Sequence, residues 1–206
     1  MLGEISACTP VVFCWEWPDD IKQDIISLNN PTGRLTNSDL EMTGLVILWL
    51  VIEGICDNLR EKRVTLLSDN SPTISWVTRL ASKRSLVAEQ LVQALVLQLK
   101  TMHTCPLTPL YIEGVRNKIA DMPSRSFGSN PTRTCTSDAE LLTLFNTHFP
   151  LPQQQSWIVY HLNCLAVMHV TSILQMKPFA LDDWRRLPTR GRCVGVIGAP
   201  MSNTWE

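Results

Sequence analysis

Arg63-Val64-Thr65-Leu66-Leu67-Ser68-Asp69-Asn70-Ser71-Pro72 is the stretch on which the fold turns. Its first half is a short apolar run and its second half is built of turn and capping residues. That predicts a buried strand running out at Asp69, with Pro72 at the favoured first position of a following helix. Apolar helical stretches lie on both sides, which suits the central strand of a mixed α/β sheet. Upstream, Ser38 is an N-cap candidate and Glu41 stands three residues later, the spacing of a capping box. The helix they open runs to about Cys56 and is apolar nearly all round, so burial on several sides is expected, with Gly44 permitting close packing. Downstream, Ser71–Leu80 reads as a short helix and Ser82–Ser85 as a loop. A long helix then runs to about His103, with Ala88, Leu91, Leu95, Leu99 and Met102 on one stripe and Gln90, Gln93 and Gln98 off it. Leu107–Glu113 is the next strand, closed by Gly114, and Asn117–Arg125 is a loop or short helix.

Further out, Val11–Trp17 reads as a strand ended by Pro18, Ile25–Leu28 as another short strand, and Asn29–Gly33 as a turn. Strands alternating with helices define an α/β domain. The breaker-rich stretch Phe127–Pro131 divides the chain into a domain over 10–127 and an extension over 128–206. In the extension, Asp138–Asn146 and Leu181–Leu187 read as short helices, Pro150–Gln155 as a linker and Trp157–Tyr160 as a strand; the rest is expected to be irregular.

Hydrophobic residues make up 45% of the 206 and charged residues 18%, which supplies a real core and argues against disorder. The net charge of −1 hides an asymmetry: −7 over residues 1–59, +5 over 60–125 and +1 over 126–206. A basic middle segment suits a phosphate backbone, or it is only a solvated face. Seven cysteines, with no C-x-x-C pair, fit neither a zinc ribbon nor a secreted disulfide framework. They read as reduced thiols of an intracellular protein, cytoplasmic or nuclear. His161, Cys164 and His169, with Cys135, form a loose cluster that fits no standard zinc module. There is no secretory leader pattern, and the longest apolar run, Leu45–Ile52, is far short of the ~20 residues that span a bilayer.

Three carboxylates occupy places where chemistry forms. Glu41 lies in the first turn of the apolar helix, Asp69 at the carboxyl end of the central strand, and Asp121 after the last strand. The carboxyl ends of strands in α/β sheets are where sites gather. Taken singly, Glu41 reads as a cap, Asp69 as part of a capping turn and Asp121 as a surface acid. Taken together they would repel one another without a counter-ion, and Mg²⁺ (or Mn²⁺) is the natural hard-oxygen partner. Two such ions ~4 Å apart would activate water and stabilise the leaving oxygen of a phosphodiester.

Three motifs carry a family resemblance. They are Asn37-Ser38-Asp39-Leu40-Glu41-Met42, Leu66-Leu67-Ser68-Asp69-Asn70-Ser71, and the run from Gly114 through Asn117, Ala120, Asp121, Ser124 and Arg125. The chain resembles the RNase H domain of retroelement reverse transcriptases, in the style of DIRS-like, tyrosine-recombinase elements. The resemblance implies an RNase H-like fold, a mixed sheet flanked by helices, followed here by an irregular C-terminal extension. It implies Mg²⁺-dependent hydrolysis of the RNA strand of RNA–DNA hybrids, with Glu41, Asp69 and Asp121 as three of four carboxylates holding two ions. Lys83, Arg84, Arg79 and Lys118 are then candidates for phosphate contacts, and Asn70 and Ser71 for the minor groove. The polymerase domain of the same polyprotein would be the protein partner. The family's first strand, with its first Asp, would precede Val11–Trp17, and only Glu4 stands among the first ten residues. Weak or absent turnover is therefore expected, and a non-catalytic nucleic-acid- or polymerase-binding remnant stands as the alternative.

Overall fold

The computed structural model describes residues 10–56, 58–127, 135–152 and 155–177, and the backbone of 192–195. The expected helix at 181–187 and most of the boundary at 127–131 lie outside the described residues. Seven α-helices and five short strands are present among them, so the chain is mixed α/β. Its strands form two small sheets instead of one, and these belong to two compact units.

The larger unit holds α1 (Asp19–Gln23), α2 (Asn37–Ile55), β2 (Thr65–Ser68), α3 (Ser71–Arg79), α4 (Leu86–Thr101), β3 (Thr108–Tyr111) and α7 (Cys164–Leu174). β2 and β3 run parallel, with Leu66 opposite Pro109 and Leu67 opposite Leu110. Alternation along β2 buries Leu66 and leaves Leu67 exposed. α3 lies across β2 and β3, while α2 packs against α3, α4 and α7. Met42, Trp49, Leu50, Leu91 and Leu95 are among its fully buried side chains. Ala88, Leu91, Leu95 and Leu99 are buried as the stripe predicts, but Gln98 is buried as well.

Several expectations are corrected here. Ile25–Leu28 forms only isolated bridges, Ile25 with Leu35 and Ser27 with Asn30, around a turn. Gly33 is required in that turn, since an added Cβ would stand 2.6 Å from the Asp24 carbonyl oxygen. Gly44 faces open space and mediates no close packing. The capping box of α2 lies two residues earlier than expected: Thr36 is the N-cap and Asp39 returns its carboxylate to the Thr36 amide. Asp39 can serve where Glu was anticipated because its shorter side chain still reaches the cap. Glu41 is thereby the fifth helical residue, free of capping duty.

The smaller unit holds β1 (Val11–Val12), α6 (Asp138–His148), β4 (Ile158–His161), β5 (Arg192–Gly195) and α5 (Lys118–Ser126) beyond its first residue. β4 is central, parallel to β1 and antiparallel to β5. β1 is much shorter than the expected strand over Val11–Trp17, because only Val11 and Val12 find partners, Ile158 and Val159. Val12, Leu141, Leu142, Phe145, Trp157 and Val159 form its core. Phe145 and Trp157 meet edge to face at 5.0 Å, and the Trp157 indole donates to the Phe149 carbonyl at 2.8 Å. The extension is thus not irregular: it supplies α6 and β4 here and α7 to the larger unit.

Candidate functional site

Asp69 follows the last residue of β2, where the strand ends because Asn70 turns the chain into α3. Asn70 is the N-cap of that helix, its side-chain oxygen accepting from the Thr73 amide at 3.0 Å. Its amide nitrogen donates to the Ser38 hydroxyl at 3.3 Å, and the Thr73 hydroxyl donates to the Ser38 carbonyl at 3.4 Å. The start of α3 is therefore tied to the start of α2, the helix that carries Glu41.

This brings Glu41 within electrostatic reach of Asp69. Burial pushes the Glu41 carboxyl above its ordinary range, and the neighbouring Asp69 charge pushes in the same direction. Glu41 makes no hydrogen bond or ion pair with the described residues. Asp69 is exposed and has one donor, the Asn117 side-chain amide at 3.2 Å from Oδ1. Gly114 closes the other side of it: a Cβ there would stand 3.1 Å from Asp69 Oδ2. A side chain at 114 would therefore press on the carboxylate and displace it by a few tenths of an ångström. Residues of all three sequence motifs thus meet at Asp69. The roles of Gly114 and Asn117 were not read from the sequence, although both stand in the third motif; nothing local says which carboxylate they would approach.

The third expected carboxylate, Asp121, belongs to the smaller unit. It lies in the first turn of α5 and accepts from Arg125 Nε at 2.8 Å, an i,i+4 pair in which the Arg125 side chain is largely exposed. Among the described residues, no three His, Cys, Asp or Glu side chains are arranged to hold a metal ion. Of the expected set, Glu41 and Asp69 are brought together. Two carboxylates within electrostatic reach of each other are the hard-oxygen donors that a divalent cation would take.

The expected phosphate contacts are all exposed. Arg79 ends α3, Lys83 and Arg84 lie in the loop before α4, and Lys118 opens α5. Leu80, in the left-handed conformation at φ 52°, stops α3 and directs the chain into that loop. Ser71 is exposed at the start of α3, while Asn70 is engaged on both ends of its amide as described.

The His161, Cys164 and His169 cluster does not assemble as a metal site among the described residues. His161 Nε2 instead shares a hydrogen bond with Asp138 at 2.8 Å, and Cys164 is exposed. None of the five described cysteines is in a disulfide. Burial pushes the thiol of Cys14, partly buried against the core of the smaller unit, up to about 12, with Cys135 and Asp138 adding to the shift.

No family model, curated protein or solved structure matches this chain. No helix among the described residues is long and apolar enough to cross a membrane.

Proposed function

We propose that this chain is an RNase H-like domain of a retroelement reverse transcriptase polyprotein. It binds RNA–DNA hybrid, and Glu41 and Asp69 hold a divalent cation against the RNA strand. The observation that carries the reading is the convergence of three distant motifs on one carboxylate: Glu41 within electrostatic reach of Asp69, with Asn117 and Gly114 against it. A purely capping role for Asp69 does not account for this, because Asn70 does the capping. Mg²⁺ or Mn²⁺ held there would polarise the scissile phosphate and lower the pKa of water. The chain's own residues bind and orient. Asn117 donates to the Asp69 carboxylate, and Glu41 is partly buried beside the Asp69 charge. Lys83, Arg84, Arg79 and Lys118 supply exposed charge for the phosphate backbone. Asp121 enters as a further ligand through the family resemblance alone. Turnover is slow, since Glu41 and Asp69 form only part of a two-ion ligand set.

The test is cutting of a labelled RNA–DNA hybrid with Mn²⁺, in the natural chain and in Asp69→Asn. The expected result is slow Mn²⁺-dependent cleavage of the RNA strand, reduced about 100-fold or more by Asp69→Asn. Salt-sensitive hybrid binding that Mn²⁺ does not influence, with no cleavage, would favour the non-catalytic remnant instead. Equal cleavage by the two proteins would remove Asp69 from the chemistry.

A further inference from the structure

The least exposed acid of the larger unit is not part of the proposed ion site. Asp39 is 1% exposed, and every oxygen of its carboxylate is engaged. Oδ2 accepts from the Thr36 amide at 2.9 Å and the Thr36 hydroxyl at 2.6 Å, which completes the cap of α2. Oδ1 accepts from the Ser85 hydroxyl. The same Ser85 hydroxyl accepts from the Ala88 amide at 3.1 Å as the N-cap of α4. Ser82, itself buried, accepts the Ser85 amide at 3.4 Å. Lys83 and Arg84 are therefore held in a loop whose ends are both anchored, one of them directly on Asp39. One residue before Asp39, Ser38 takes the start of α3 through Asn70 and Thr73. Two consecutive residues of α2 thus grip the segment that follows Asp69 and the loop that carries the exposed cations, with Glu41 two residues further on.

A cap alone does not require this. Ser85 would cap α4 without touching Asp39, since its hydroxyl accepts the Ala88 amide of its own helix, and the capping box of α2 needs only one oxygen of Asp39. Burying a carboxylate is unfavourable unless its oxygens are satisfied; here Oδ2 closes the cap of α2 and Oδ1 is spent on the start of a separate helix, α4.

We propose that Asp39, through Ser85, is a positioning residue that fixes the cationic loop at Lys83–Arg84 relative to the Glu41–Asp69 pair, so that a nucleic-acid strand engages the loop and the ion together. The inference rests on the function proposed above. Two contacts on one strand reinforce each other only when the spacing between them is held. The clamp accordingly shows as coupling: a divalent ion raises hybrid affinity by more than either contact alone would give.

The experiment measures the affinity of a short labelled hybrid by fluorescence anisotropy, with Mn²⁺ and with chelator, on the full chain. In the natural protein Mn²⁺ tightens binding about five-fold or more. Ser85→Thr keeps both cap and clamp and retains that gain. Ser85→Asp keeps a good N-cap but sets its charge against Asp39, and the gain falls to near one-fold while the chain remains folded by circular dichroism. The double substitution Asp39→Asn with Ser85→Asp restores a donor–acceptor pair with the roles reversed, and restores the gain. A full Mn²⁺ gain in Ser85→Asp overturns the inference alone, provided that Asp69→Asn abolishes the gain. If the natural chain and Asp69→Asn respond to Mn²⁺ alike, the function itself fails, and the positioning role fails with it. If Ser85→Asp does not fold, the decision falls to the double variant, and absence of the gain there in a folded chain also overturns the clamp.

Discussion

Glu53 is buried near the C-terminal end of α2, only 5% exposed, with one oxygen accepting from the Trp49 indole and the other without a hydrogen-bond partner. Burial raises its carboxyl from the ordinary 4.5 to about 7, against the lowering effect of the Trp49 bond. The native state therefore holds this proton more tightly than the unfolded chain does. Its contribution to stability is fully present below pH 4.5 and is lost as pH rises through about 7. The loss amounts to roughly 3 kcal/mol at most. Glu53→Gln keeps an acceptor for Trp49 and cannot ionise. Urea titrations of the two proteins between pH 4.5 and 8 should show the natural chain losing stability relative to Glu53→Gln as pH rises. A constant difference across that window would mean that Glu53 is not the group responsible. At the same scale, Glu41 and Asp69 could be singled out in the sequence because their places, early in a helix and after a strand, are set by local pattern. Asp39 could not. Its Thr-x-x-Asp spacing was present, but the stronger-looking Ser38 and Glu41 pair drew the cap two residues too far along.

Local pattern concealed α1, β5 and, most consequentially, α7. Leu165-Ala166-Val167-Met168-His169-Val170-Thr171 mixes β-branched residues with a histidine, which blurs a helical period, yet Ala166, Val170, Ile173 and Leu174 fall on a single buried face. Tertiary packing on α4 and α2 decides the matter. Ile173→Ala, at a fully buried position, should cost about 2–5 kcal/mol of unfolding free energy, whereas Met168→Ala, 61% exposed, should stay within about 0.5 kcal/mol. Equal effects in denaturant titrations would show that this face is not the packed one. α3 and α4 were legible because Pro72 and a regular Leu stripe leave little choice. The strand expected over Val11–Trp17 was too long because β propensity says nothing about how many partners a strand will find.

Across the whole molecule, the chain passes between its two units more than once, and neither unit is made of consecutive residues. A domain boundary read from breakers near 127 could not reveal this, since α7 returns to the unit that contains α2 and α4. Ending the chain at Phe127 would uncover the surfaces of α2 and α4 that α7 packs upon and leave β1 without β4. The shortened chain should bind the dye ANS strongly and unfold at a lower urea midpoint than residues 1–206. An unchanged midpoint would show that α7 contributes nothing to that core.

The pairing of β1 with β4 carries a further consequence for how the protein is made. On a ribosome, Val11 and Val12 emerge well before their partners Ile158 and Val159. Throughout that interval the first strand has no native mate, and α2 and α4 lack the cover of α7. Non-local pairing of this kind slows folding and prolongs the exposure of apolar surface. A nascent chain of this design therefore depends on chaperone shelter during translation.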